Sequence, residues 1–178
     1  MAEYVPTGAD VSGEGHHPNT ATAFLELHRL LSIIFASKSF AELRVGNGEE
    51  WELIDHLQQF EDDEITRILL SVSITARVID DRYNRAFDLV ARDCGKLIET
   101  NKYGKAETGL SLREACNKII HAKKVLFDVS ETETSQRYLN PIIHLHGERQ
   151  KGQELQKWKA ELDVIAFAKE YVLCLRHL

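Results

Sequence analysis

Cysteine, proline and glycine are all scarce in this chain of 178 residues, at three, three and ten. The cysteines, Cys94, Cys116 and Cys174, are odd in number, far apart and form no CxxC pair. That argues against a disulfide framework and a structural zinc site, and it suits a reducing, cytoplasmic setting with no cofactor. Long apolar runs are missing too. The longest nearly apolar stretch, LLSIIFA at 30 to 36, falls far short of the roughly 20 residues that span a bilayer, so no membrane partner is expected. The first twenty residues, MAEYVPTGADVSGEGHHPNT, have neither a basic start nor an apolar core, and they read as a disordered lead-in rather than a signal peptide.

What is present is helix-forming. Hydrophobic residues make up 43% of the chain and charged ones 28%, enough for one well-cored domain over residues 21–178. Leu, Ala, Glu and Lys dominate long segments free of Gly and Pro, which predicts a mainly α protein. Phe24, Leu27, Leu31 and Ile34 mark a first helix over 22–44. GNG at 46 to 48 punctuates the chain, and the acidic run EDDE at 61–64 suits the positive first turn of a second helix. Its apolar stripe runs from Ile65 through Ala76 and Tyr83 to Cys94, most of three dozen residues. A glycine-marked loop, GKLIETNKYGKAETG, follows. Ser111 and Glu114 then form a capping box for a third helix, with Leu112, Ala115, Cys116, Ile119, Ala122 and Leu126 on its apolar arc; Lys123 falls in that arc and Val125 outside it, which points to a bend or an end soon after Ala122. Beyond the polar connector SETETSQRY, YLNPIIHLHGE at 138–148 alternates like a strand, RQKGQ turns, and ELQKWKAEL returns as the second strand of a hairpin. A rival reading runs one helix from Gln153 to Leu175. Asp163 caps a terminal helix through Leu175.

The net charge of −6 conceals an imbalance. Residues 49–64 hold eight acids and no Lys or Arg, whereas 113–124 hold Arg113, Lys118, Lys123 and Lys124 against Glu114 alone. Local cations attract phosphates, so the third helix is the best candidate for an anionic ligand. Its polar side also carries Asn117 and His121, one able to hold a ligand oxygen and the other able to exchange protons near neutral pH. A solvated polar face explains the same residues without any ligand. Arg77 and Asp81, four apart on the preceding helix, fit an ordinary ion pair. Arg77, Arg82 or Lys124 could still add a cation, and Asp80 could orient His121 or neutralise an Arg. Cys116 lies on the apolar arc, where an inert buried thiol is the ordinary reading and a nucleophile the alternative.

The stretch CNKIIH, 116–121, resembles the signature R-N-x-x-x-H of the HEPN superfamily, helical domains named for nucleotide binding in higher eukaryotes and prokaryotes. Asn117 and His121 match the second and last positions, Ile119 and Ile120 match the apolar filling, and Cys116 stands where the family has its catalytic Arg. The resemblance covers residues 22–127 loosely and implies a HEPN-like helical bundle, here with a short C-terminal β-hairpin and a terminal helix. It also implies a homodimer whose protomers meet at the motif helix. Active members resemble metal-independent endoribonucleases of toxin or defence systems. On that pattern His121, Asn117 and Arg113 are the catalytic candidates, and Lys118, Lys124, Arg77 and Asp80 the ligand-binding ones. Because the Arg is missing, the resemblance implies a catalytically degenerate subunit that binds RNA, a nucleotide or a protein partner, with an active RNase using His121 as the alternative.

A third reading sits outside that helix. His144, His146 and Glu148 alternate along the strand-like segment, so all three side chains leave one face and could meet one metal ion.

Overall fold

The computed structural model describes residues 19–43, 56–83, 87–101, 104–151 and 154–176. Five helices are labelled: α1 (Thr20–Leu43), α2 (Glu61–Arg82), the single-turn α3 (Phe87–Val90), α4 (Leu112–His121) and α5 (Val164–Arg176). Five strands are β1 (Asp93–Asn101), β2 (Gly104–Ser111), β3 (Lys124–Glu131), β4 (Arg137–Lys151) and β5 (Glu154–Asp163). The strands form one antiparallel sheet in the order β2-β1-β5-β4-β3. Helix α4 carries the chain from β2 at one edge of this sheet to β3 at the other.

Burial alternates along the central strands, and the buried set falls on one face: Leu97, Ile143, Leu145, Trp158, Ala160 and Leu162. Helices α1, α4 and α5 cover that face. Helix α2 packs mainly on α4 and α1, with Ile65, Leu69, Val72, Ala76 and Ile79 turned inward. The Tyr171 hydroxyl of α5 donates to the Val72 carbonyl at 3.0 Å, and Ser37 of α1 both donates to Glu61 at 3.0 Å and accepts from the Leu139 N–H at 3.1 Å. Burial of this apolar set is the main stabilising force, and the few buried polar groups are answered by hydrogen bonds across elements. Among the described residues no helix covers the opposite face of the sheet, and its side chains are half-buried or exposed.

Several expectations hold. Helix α1 occupies the first periodic segment, the acidic run supplies the first turn of α2, and Ser111 accepts from the Glu114 N–H at 3.4 Å to start α4. Residues 154–163 are a strand, and the Asp163 carboxylate accepts from the N–H groups of Ile165 and Ala166, both at 2.9 Å, as the cap of α5. Of the lead-in at 1–20 only the last two residues are described, with Thr20 already in α1, and the GNG at 46–48 and the last two residues of RQKGQ lie outside the described residues.

The mainly helical bundle with a short hairpin is wrong: strand makes up a large share of the chain, and the domain is a helix-covered antiparallel sheet. Three misreadings add up to that error. The second helix does not run to Cys94. It ends at Arg82, the Asp80 carboxylate accepts the Phe87 N–H at 2.8 Å to start the next turn, and Cys94 is already on β1. The glycine-marked loop is the β1–β2 hairpin. Gly95 lies in it at φ 154°, where any Cβ would sit 1.9 Å from the Glu161 carbonyl oxygen, so glycine there permits close strand approach rather than signalling a loop. The third helix does stop where the pattern breaks, at His121, but Lys124 to Glu131 then form an unforeseen strand, β3, whose Val125 and Phe127 alternate with Lys124 and Leu126.

Candidate functional site

Helix α4 presents Arg113 and Asn117 as expected, but the fold commits both to other groups. The Arg113 guanidinium donates to Asp80, which is fully buried, and to Asp81 at 2.6 Å. Arg77 donates to the Asn117 side-chain oxygen at 2.8 Å and reaches Asp81 at 3.3 Å, the ion pair its spacing suggested. Asn117 in turn donates to Glu114 at 3.2 Å. Lys118 is buried, bonded to Glu114 at 2.9 Å, with its ammonium 4.6 Å from the centre of the Trp158 ring. The same ring lies against Gly147, where a Cβ would meet it at 2.0 Å, so glycine there makes room for the indole.

The electrostatics follow from these contacts. Hydrogen bonds from Arg113, then the nearby Arg77, hold the Asp81 carboxyl below the usual carboxylate range. Burial opposes ionisation of Glu114, yet hydrogen bonds from Lys118 and Asn117 outweigh it, and its carboxyl is also lowered. Burial pushes the Cys116 thiol up to about 12, which makes it an inert core group and not a nucleophile. His121 stands exposed at the last residue of α4, with no hydrogen bond or ion pair among the described residues. Arg113, Asn117 and His121 are therefore not brought together: two are bonded within a network joining α2 to α4, and the third is apart from it. Asp80 bonds Arg113 and the N–H of Phe87, the first residue of α3, not His121.

The uncovered sheet face is a different assembly. His144, His146 and Glu148 do share it, as their alternation requires. Lys124 of β3, His146 of β4 and Lys159 of β5 are direct cross-strand partners, forming one row across three strands. The next row holds Leu126, His144, Glu161 and Lys96. Three lysines are answered: Lys96 by Glu107 at 3.2 Å, Lys159 by Glu161 at 2.8 Å and Lys123 by Glu148 at 2.6 Å. Lys124 and Lys157 have no ion pair among the described residues. Partial burial lowers the His146 pKa, and Lys159, His144 and Lys124 lower it further. The Nδ1 atom of His144 is buried without a hydrogen bond, 3.9 Å from a Glu161 carboxylate oxygen.

Glu148 turns to Lys123, and among the described residues no group of three or more His, Cys, Asp or Glu side chains could hold one metal ion. The metal reading of His144, His146 and Glu148 thus lacks a ligand cluster.

Lys159, Glu161 and Lys96 were not singled out in the sequence. The alternation KWKAELD at 157–163 was the available signal, but it gains meaning only when Lys124 is known to begin a strand opposite His146. No helix among the described residues is long and apolar enough to cross a membrane. The chain matches no protein-family model, no curated protein and no solved structure, so its function is argued from this geometry alone.

Proposed function

We propose that the chain binds single-stranded RNA on the uncovered face of its sheet, and that the polar face of α4 serves the fold instead of chemistry. The observation that carries this is the row Lys124, His146, Lys159. Lys124 and Lys159 flank His146 from the two neighbouring strands, and although Lys159 is paired with Glu161, no carboxylate pairs with Lys124 among the described residues. A phosphate backbone laid across the row would give Lys124 a counter-charge and release its own counterions. The row is local, since the chain as a whole carries −6, so an anionic ligand would be drawn to this face and repelled elsewhere. An open antiparallel face suits an extended strand better than a duplex groove.

Fluorescence anisotropy with a labelled single-stranded RNA tests this. Binding should weaken with salt, and Lys124→Glu together with Lys157→Glu should reduce affinity about tenfold or more, roughly 1.4 kcal/mol. Equal affinity in the double variant would overturn the reading. So would binding of neither RNA nor DNA by a chain that co-purifies with a protein in a Lys124-dependent manner, which would make the face a protein-docking surface.

A second reading keeps His121 as an RNase residue. It is favoured by one observation: His121 is exposed, and only Ala122 and Lys123 separate it from Lys124, within about 11 Å along the chain. Under that reading His121→Ala abolishes cleavage.

A further inference from the structure

Lysines supply charge to the sheet face, but its two histidines supply proton transfer. His144 and His146 flank the buried Leu145, so their side chains leave the same face about 6.7 Å apart along β4. That separation lets two imidazoles reach opposite sides of one phosphodiester. Their surroundings differ in the sense an acid–base pair needs. His146 lies between Lys124 and Lys159 on the neighbouring strands, with His144 and Glu148 along its own strand and Glu148 occupied by Lys123. An imidazolium at 146 meets two ammonium groups, so the neutral, proton-accepting form is favoured, in line with its lowered pKa. His144 lies between Leu126 and Glu161, and its Nδ1 is 3.9 Å from the Glu161 carboxylate oxygen that Lys159 also bonds at 2.8 Å. With Nδ1 buried, Nε2 is the nitrogen left for a ligand.

We propose that this face cleaves RNA by general acid–base catalysis, with His146 as base and His144 as acid; the inference rests on RNA being the ligand of the same face. His146 takes the proton of a ribose 2′-hydroxyl, and the 2′-oxygen attacks the adjacent phosphorus. The bond from phosphorus to the 5′-oxygen breaks with its electron pair on that oxygen, which takes a proton from His144. The products are a 2′,3′-cyclic phosphate and a free 5′-hydroxyl, and exchange with water returns the two imidazoles to their starting states. Lys124 and Lys159, each about 4.8 Å from His146 across the sheet, are within reach of the non-bridging oxygens where negative charge builds.

The experiment follows binding and cleavage separately. A single-stranded RNA and its all-deoxy counterpart are incubated in EDTA with the full chain and with His144→Gln, His146→Gln and His121→Ala, and anisotropy is measured on the same preparations. The expected result is a 2′,3′-cyclic phosphate from RNA, no cut in the deoxy strand, and a loss of about 10²-fold or more in either sheet-face variant with binding unchanged. The His121 variant should cut normally. RNA that is bound in full but never cut would overturn the catalytic inference and leave the RNA-binding reading standing. Cleavage lost in the His121 variant and kept in both sheet-face variants would overturn it as well, by moving the chemistry to the end of α4. A chain that binds no RNA would sink both.

Discussion

The polar face of α4 and the open face of the sheet are both rich in charge, but they dispose of it in opposite ways. On α4 the chemically capable groups other than His121 are bonded to neighbours: Arg113 to Asp80 and Asp81, Asn117 to Arg77 and Glu114, Lys118 to Glu114. Several of these atoms are buried, so they hold α2 against α4 and cannot be released to a ligand without leaving a charge unanswered. On the sheet, Lys124, His146 and Lys159 lie side by side, and Lys124 has no carboxylate among the described residues. A set of groups that satisfies itself is a structural device. A set of like groups held together by backbone register is one that a ligand can complete. The difference gives each surface its own expected response to mutation and to pH.

The largest effect should come from the buried end of the α4 network. Asp80→Ala removes one of the two carboxylates that bond Arg113 and the acceptor of the Phe87 N–H, leaving a mostly buried guanidinium with Asp81 alone, and it should cost about 3 kcal/mol in urea unfolding at pH 7. RNA affinity of the folded fraction should stay unchanged. A loss of affinity with stability preserved would reverse the assignment of the two surfaces.

Acid should then separate them by pH window. Asp81 and Glu114 have folded-state pKa values below their unfolded ones, so the unfolded chain binds protons first as pH falls. Their stabilising contribution is complete above the unfolded carboxylate range and is lost between about pH 5 and 3. His146 is also lowered, and its contribution is complete above an unfolded value of about 6.5 and lost as pH falls below that. Urea midpoints taken across pH should show a shallow fall starting near pH 6.5 and a second fall below pH 5. In His146→Gln the first should vanish, and in Arg113→Met the second should shrink. Both falls persisting unchanged in both variants would break the comparison.

The sequence made one of these surfaces legible and hid the other. Helix periodicity, the capping Ser111 and the charge of residues 113–124 led directly to α4, because every signal there is local. It was equally plain that Asp163 caps α5 and that His144 and His146 share a face. What could not be read was pairing between strands. Glycines 95 and 109 look like loop punctuation until Glu161 and Asp93 are seen to press against them, and Lys124 looks like the tail of a helix until it lies opposite His146. Helical spacing from Ile65 to Cys94 continued by coincidence across the end of α2, since Phe87 and Cys94 are buried on separate elements. The residue contacts that make the sheet face a candidate site are long-range, and a site of that kind has no motif.

The smallest expected effect is the most direct probe of the row itself. If Lys124 and Lys159 hold the His146 imidazole neutral through space, removing either charge should raise the His146 pKa while stability changes by less than about 0.5 kcal/mol. Proton NMR titration of the histidine ring resonances in Lys159→Met and Lys124→Met measures this without any ligand. The two shifts should be similar in sign, and raising salt should shrink them, because partly exposed charges are screened within about 10 Å at 0.1 M. Burial sets the first part of the lowering, so a residual depression should survive in both variants. A His146 value that ignores both lysines would mean that the row is register without interaction, and the sheet face would then have no more claim on an anion than any other exposed surface of the molecule.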